Sequence, residues 1–308
     1  MKKNSPEKVL VTGGAGFIGS NLVDALVEEG LDVSIIDNLE TGQRGNINPK
    51  ANFFQVDIRK YEEIAPIFEN IDCVLHLAAL PRIQPAIRDP FPAHHTNATG
   101  TLNVLTAAQR AGVKRLIYSG SSSVYGKQSS LPFKEDMKPD PLNPYAVQKL
   151  VGEMYCRNFS ELYRLPTVIL RYFNVYGPRE ILEGAYATVI GIFRQQLKQG
   201  LPMTIVADGG EKTRDFTHVR DVVRANILAM GSDKVGKAEI INIGTGKNYS
   251  IKELAEMFRG PIEVIPPRPG ETVTTLADNK KAKELLGWEP TVDLPSGVEE
   301  LKKLHGLA

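Results

Sequence analysis

The chain has 308 residues, 42% of them hydrophobic and 24% charged, with a formal net charge of +1. That is the balance of an ordinary globular protein, long enough for one large domain or two smaller ones with a real core. No basic surplus marks it for nucleic acid or an anionic membrane, so the expected partner is a small molecule.

The opening "MKKNSPEK" has two lysines but no apolar stretch before "VLVTGG", which does not read as a signal peptide. From there short apolar runs alternate with amphipathic stretches up to about residue 172. "KVLVTG" reads as a strand, "FIGSNLVDALVEEG" as a helix, "LDVSIIDN" and "ANFFQVDI" as strands, and "YEEIAPIFEN" as a helix. "DCVLHLAA" is the next strand, followed by helical "NATGTLNVLTAAQRAG", strand "KRLIYSGSS", helical "PYAVQKLVGEMYCRNFSELY" and strand "PTVILRYFN". Runs such as VLV, CVLHL and RLIYS are apolar without alternation, as strands covered on both faces are. The spacing predicts an α/β fold, a Rossmann-type doubly wound parallel sheet.

Beyond about residue 173 the alternation loosens, and proline and glycine cluster at 177–178, 200–202, 209–210 and 266–270. Helices are predicted at about 185–199, 219–230 and 250–258, with short strands at 203–206 and 239–243. This reads as a dinucleotide-binding domain over 1–173 and a smaller C-terminal α/β substrate lobe over 174–308, interleaved across an approximate boundary. A ligand cleft is expected between them, at the carboxyl ends of the strands. No run approaches the ~20 apolar residues of a membrane span, and a cytoplasmic location is expected. The two cysteines, Cys73 and Cys156, lack CxxC spacing, and the five histidines form no HExxH pattern. Neither a disulfide framework nor a metal site is expected.

"VTGGAGFIGS" follows the first strand and opens the first helix. Gly14, Gly16 and Gly19 satisfy G-x-G-x-x-G, and Gly13, Gly16 and Gly19 the variant with two residues between each pair. Such glycines let the backbone turn tightly beneath a pyrophosphate, which rests on the positive end of the helix. Asp37 ends the second strand, 18 residues after Gly19, placed to accept hydrogen bonds from an adenosine ribose, which selects NAD over its 2′-phosphorylated relative. Asn38 follows it, and no arginine directly succeeds Asp37; Arg44 is the nearest competitor. Asp57 and Ile58 read as the end of the third strand, beside the adenine, although "VDIRKYEEI" equally makes Asp57 a helix cap.

Tyr145 and Lys149 are four apart on a predicted helix, hence on one face. A tyrosine with a pKa near 10 is a poor base at neutral pH. An ammonium beside it and a positively charged nicotinamide would both stabilise the phenolate. Upstream, "SGSSSVYG" sets hydroxyls at the end of a strand, where one could hold a substrate oxygen in line.

Together "TGGAGFIGS", "HLAA", "SGSSSVYG", "PYAVQK", "RYFNVYGPR" and "TRDFTHVRDV" resemble the extended short-chain dehydrogenase/reductases, most closely their UDP-hexose 4-epimerase branch, from residue 8 to about 303. The resemblance implies that Tyr145 is the catalytic base, Lys149 its electrostatic partner and grip on the nicotinamide ribose, and Ser121 the catalytic hydroxyl. Around NAD it implies Gly13, Gly16, Phe17, Ile18, Gly19, Asp37, Asn38, Gly42, Asp57, Ile58, Leu77, Ala78, Ala79, Asn97, Ser119, Tyr145, Lys149 and Tyr172. Related 4,6-dehydratases carry Asp and Glu at the positions of Ser122 and Ser123, and related uronate decarboxylases carry Glu at the latter. A hydroxyl without an activating base cannot do that acid chemistry. The implied reaction is therefore epimerisation through a transient 4-keto sugar, and neither serine is given an essential role.

For a UDP-sugar substrate the resemblance implies Asn174, Arg214 and Arg268 at the diphosphate, Glu271 at the uridine ribose, and Arg82 and Val189 near the sugar. Thr275 stands where non-acetylated epimerases have a pocket-closing tyrosine, which implies room for UDP-GlcNAc and UDP-GalNAc beside UDP-glucose and UDP-galactose. The family's uronate epimerases usually carry threonine at the Asn174 position and an arginine near Ile181; Arg82 keeps a UDP-glucuronate 4-epimerase open. A homodimer through a four-helix bundle of about 97–111 and 145–163 is implied, with Val104, Leu105, Ala108, Leu150, Met154 and Phe159 suiting either interface or core. A dehydratase or reductase of the same fold and a non-catalytic NAD-binding regulator are the remaining alternatives.

Overall fold

The computed structural model describes residues 6–81, 83–182, 187–206, 212–266, 270 and 272–307. Strand β1 (Lys8–Thr12) leads through the glycine turn into α1 (Phe17–Glu28), then β2 (Asp32–Ile36), β3 (Asn52–Phe54), α2 (Tyr61–Ile64) and β4 (Cys73–His76). The segment after β4 is helical: α3 (Ile83–Arg88), α4 (Pro90–His94), a π turn (His95–Gly100) and α5 (Thr101–Arg110). The Asp89 side chain accepts from Phe91 N at 3.1 Å and Pro90 fills the first helical position, so a proline-rich stretch still starts a helix. β5 (Arg115–Ser121), a 3₁₀ turn (Ser122–Tyr125), α6 (Pro144–Tyr163) and β6 (Thr167–Tyr172) follow.

The second part of the chain contains β7 (Val175–Tyr176), α7 (Val189–Lys198), β8 (Met203–Val206), β9 (Thr213–Asp215), β10 (Thr217–His218) and α8 (Val219–Gly231). It closes with β11 (Lys237–Ile243), β12 (Asn248–Ser250), α9 (Ile251–Phe258), β13 (Ile262–Ile265), α10 (Lys280–Leu286) and α11 (Leu294–Leu304). The last two helices go beyond the elements read from the sequence; Asp293 caps α11, and Leu294, Val298 and Leu301 bury one of its faces.

The main sheet has seven parallel strands in the order β11-β6-β5-β4-β1-β2-β3. β4 and β6 are buried at every position because helices cover both faces. On one face Leu22, Val23 and Leu26 of α1 pack with Val219, Val222 and Val223 of α8; on the other Val104, Leu105 and Ala108 of α5 meet Cys156 and Phe159 of α6. Of the six residues with two possible fates, Val104, Leu105, Ala108 and Phe159 are therefore core, Leu150 is half-buried, and Met154 is 63% exposed.

The stretch 174–308 is split between both layers: α8 and β11 flank and extend the large sheet. Arg115 of β5 holds α8 there, its guanidinium donating to the carbonyls of Ala229, Met230, Ser232 and Val235 at the helix end. The smaller lobe has its own core, in which Phe193 of α7, Met203 of β8, Leu254 and Phe258 of α9 and Leu301 of α11 converge. Among the described residues no helix is long and apolar enough to cross a membrane.

Candidate active site

The carboxyl ends of β1 to β6 and the inner wall of the smaller lobe enclose one cleft of about 520 Å³. Its floor is the glycine turn. Gly13 has a φ of +73°, and a Cβ there would lie 2.7 Å from Ala78 N. A Cβ on Gly19 would lie 2.1 Å from the Gly13 carbonyl oxygen. Gly16 precedes α1 with no side-chain cap, and the first turn holds no acidic residue, so the positive helix end faces the cleft beside Phe17 and Ile18. The cradle fits a pyrophosphate.

Asp37 accepts from Ala15 N at 3.0 Å and Leu39 N at 2.8 Å, and burial pushes its carboxyl up. Hydroxyl donors from a ribose would relieve that cost. Gly42 does not line the cleft; it is glycine because a Cβ would come within 2.8 Å of the Asp37 carboxylate. Its lack of a side chain gives the Asp37 carboxylate its clearance. Arg44 turns away, donating to Gln55 at 2.6 Å and lying over Phe53.

Asp57 lines the cleft with Ile58, but β3 stops at Phe54 and the cap position of α2 is Lys60, so it is neither strand end nor helix cap. It heads an Asx turn, accepting from Arg59 N at 2.8 Å. Burial raises its pKa, but hydrogen bonds from Arg59 and Asn38 outweigh that and hold it at about 2.

Leu77, Ala78 and Ala79 form the wall above β4. Asn97 does not reach the cleft, contrary to expectation: its amide bonds both backbone groups of Leu80 and the side chain of Gln148. It pins the wall through Leu80 and Gln148. His76 bridges Thr12 at 2.7 Å and Thr101 at 2.9 Å, and burial lowers its pKa to about 3. Because Thr101 donates to Asn97 O, the neutral ring donates from Nε2 and accepts at Nδ1.

The chemistry-bearing groups arrive from β5 and α6. Asn143 caps α6 by accepting from Ala146 N at 2.9 Å, and Pro144 starts the helix. Tyr145 and Lys149 then lie one turn apart, both lining the cleft, with the Tyr145 ring against Leu80, Ala86 and Ala93. Lys149 donates to Ser119 O at 2.9 Å, and burial pulls its pKa down to about 8. One turn further, Glu153 takes a bidentate pair from Arg171 of β6 at 2.9 and 2.7 Å, both side chains buried. That pair bolts α6 to the sheet, and breaking it would cost roughly 3–5 kcal/mol.

Ser119 Oγ lies 3.1 Å from the Tyr172 hydroxyl, which Asn226 of α8 supports with a 2.8 Å hydrogen bond. Ser121 faces the same space, its oxygen accepting from Ser123 N at 3.2 Å and Ser123 Oγ at 2.9 Å. Neither Asn226 nor the bond from Ser123 to Ser121 is visible in the sequence, where Ser123 counts only for the acid it lacks. Asn226 comes from a helix more than fifty residues downstream of Tyr172, and Ser123 is one serine among three.

On the far wall Val189 opens α7, and Thr204, Ile205 and Val206 of β8 with Ile265 form a surface that no motif announces. Lys212 is buried there, and no sequence motif marks it. Asn174 has a positive φ of 27°, a conformation asparagine tolerates better than most residues. Its amide nitrogen donates to Asp215 O at 2.9 Å and Thr275 Oγ1 at 3.0 Å, which uses both protons. As placed, the side-chain amide has only its oxygen left for a ligand, and it ties Thr275 to the cleft wall. Arg214 lines the cleft and donates to the carbonyls of Thr213, Thr272 and Val273, each at 2.9 Å. Arg82, Arg268 and Glu271 lie outside the described residues.

Residues 9–244 match the model of the NAD dependent epimerase/dehydratase family. A putative UDP-glucose 4-epimerase of Methanocaldococcus jannaschii is 40% identical over 301 residues, covering 95% of this chain and 96% of its own. The crystal structure of a UDP-glucose 4-epimerase from Thermotoga maritima with UDP-glucose superposes with a TM-score of 0.91 at 39% identity, over 96% of this chain and 99% of that one. A UDP-N-acetylglucosamine 4-epimerase from Methanobrevibacter ruminantium, in complex with UDP-N-acetylmuramic acid, gives 0.89 at 34% identity, over 98% and 100%.

Proposed function

The chain belongs to the NAD-dependent epimerase/dehydratase family, and on that premise we propose that it is a 4-epimerase of UDP-hexoses, interconverting UDP-glucose with UDP-galactose and also UDP-GlcNAc with UDP-GalNAc. One observation carries the choice of reaction. The carboxylates among the described cleft residues are Asp37, Glu40 and Asp57, all beside β2 and β3, while Ser121, Tyr145 and Lys149 are flanked by Ser122 and Ser123. Without an acid or base to act at carbons 5 and 6, the oxidised sugar has one productive exit, reduction at carbon 4.

NAD, when bound, supplies the acceptor for the hydride of carbon 4 and gives it back. Gly13, Gly16 and Gly19 would hold its pyrophosphate, Asp37 its adenosine ribose and Lys149 its nicotinamide ribose. Tyr145, as phenolate, removes the proton of the 4-hydroxyl and later returns it. Lys149 keeps that phenolate stable, and Ser121 donates a hydrogen bond to the oxygen as it becomes a carbonyl. The 4-keto sugar must turn about its diphosphate link between the two transfers, which requires a tight grip on the nucleotide and a loose one on the ring. Arg214, with Arg268 and Glu271, is assigned to that grip. Thr275, held by Asn174 on the cleft wall, leaves space for an acetamido group.

The test is a purified enzyme given UDP-glucose, UDP-galactose, UDP-GlcNAc and UDP-glucuronate without added NADH. Each of the first three should reach an equilibrium with its C4 isomer. UDP-glucuronate should stay inert, because Asn174 and Ile181 stand where a uronate epimerase usually has threonine and arginine. A 4-keto or 6-deoxy product would reject the reading.

The buried lysine sets a pH limit. A lowered pKa means that Lys149 is charged below about 8 and loses its proton above it. kcat/KM for UDP-glucose should therefore fall on an alkaline limb centred near pH 8, about tenfold per pH unit beyond it. A profile flat to pH 10 would separate catalysis from the charge on Lys149.

We also infer a homodimer through α5 and α6. Val147, Met154 and Leu162 of α6 are 46%, 63% and 65% exposed and recur along one face. A solution mass of a single chain would reject it.

A further inference from the structure

Ser121 Oγ carries one proton and two lone pairs. Both lone pairs are engaged by one neighbour, the backbone N–H of Ser123 at 3.2 Å and its hydroxyl at 2.9 Å. The first bond is the cap of the 3₁₀ turn Ser122–Tyr125 and is available to any residue but proline at position 123. The second requires a hydroxyl there. We propose that Ser123 is a positioning residue for the epimerisation: by filling the second acceptor site of Ser121, it leaves that hydroxyl able only to donate, and aims its proton into the cleft.

This rests on the 4-epimerase reading and deepens it. During oxidation the O4–H bond breaks toward the Tyr145 oxygen, the C4–H bond breaks with its electron pair, and a C=O double bond forms. Negative charge gathers on O4 between these events, and a fixed donor stabilises that state more than the starting alcohol. A serine with a vacant lone pair could instead accept the proton of the 4-hydroxyl, competing with Tyr145 for it. The Ser123 hydroxyl removes that option on both passes, since the returning hydride meets the same oxygen at the same two groups. The glutamate that related dehydratases and decarboxylases carry at this position cannot do this when ionised, because a carboxylate only accepts.

The experiment is a double-mutant cycle on the holoenzyme. Ser123→Ala should lower kcat about fivefold, the worth of one hydrogen bond, with KM for UDP-glucose changed by less than about twofold. Ser123→Thr, which keeps the hydroxyl, should restore kcat. In a Ser121→Ala background Ser123→Ala should add no further loss, because the group it acts through is gone. Full activity of Ser123→Ala overturns the proposal. So does the same fivefold loss in the Ser121→Ala background, or a failure of threonine to rescue; each would make the residue mere packing. Wild-type enzyme in the same assay keeps the two ideas apart: inactivity on every UDP-hexose overturns the epimerase reading and this role with it, whereas an active wild type with an indifferent Ser123 overturns this role alone.

Discussion

Tyr145→Phe is expected to cut turnover by about a thousandfold, within the range that removal of a positioned acid–base group produces. The substitution deletes one oxygen and leaves the ring packed against Leu80, Ala86 and Ala93. Folding stability should hardly change. NAD should stay bound, because the glycine turn and Asp37 lie on other parts of the cleft wall and Lys149, one turn along α6, keeps its own side chain and its bond to Ser119 O. The measurement pairs kcat with the NAD content of the purified variant. More than about a tenth of wild-type turnover would deprive the phenol of its role as base, and a loss of bound NAD would show that its hydroxyl is needed to hold the cofactor.

Gly19→Ala should strip the enzyme of cofactor. The added methyl would sit 2.1 Å from the Gly13 carbonyl oxygen and 2.9 Å from Gly14 Cα. These are backbone atoms, anchored by the 2.7 Å hydrogen bond from Gly13 N to Ile36 O, so no side chain can swing aside. The turn must open. Overpacking of this kind costs roughly 1–3 kcal/mol, which corresponds to about five- to 150-fold weaker NAD binding if it falls on the cradle. Retained NAD and the melting temperature are the readouts. Gly45→Ala, where a Cβ meets nothing within 4 Å, is the matched control and should be neutral. Wild-type NAD retention in Gly19→Ala would mean that the turn is not the pyrophosphate seat.

The carboxyl-edge half of the site was legible in the chain because its signals are local. Gly13, Gly16 and Gly19 are demanded by a turn of ten residues, Asp37 by the end of the next strand, and Tyr145 with Lys149 by one turn of helix. Asn97 and Gly42 show the limit of such reading. Both belong to the neighbourhood, but one side chain is spent on Leu80 and Gln148 and the other residue is defined by the carboxylate it makes room for. Asp57 was read as strand end or helix cap, because the spacing cannot reveal that β3 stops three residues earlier.

What the sequence determined by itself is the set of apolar runs that must be covered on both faces, the glycine cradle, and the absence of acids beside Ser121. Those follow from short-range sterics, periodicity and residue chemistry, which neighbours in the chain specify. Only the tertiary structure decided that β11 and α8 return to the first sheet, that Asn226 supports Tyr172, that Asn174 spends its amide on Asp215 and Thr275, and that Ser123 fills the lone pairs of Ser121. Each of these depends on where two groups meet in space, and a hydrogen bond with a reach near 3 Å leaves no trace in spacing.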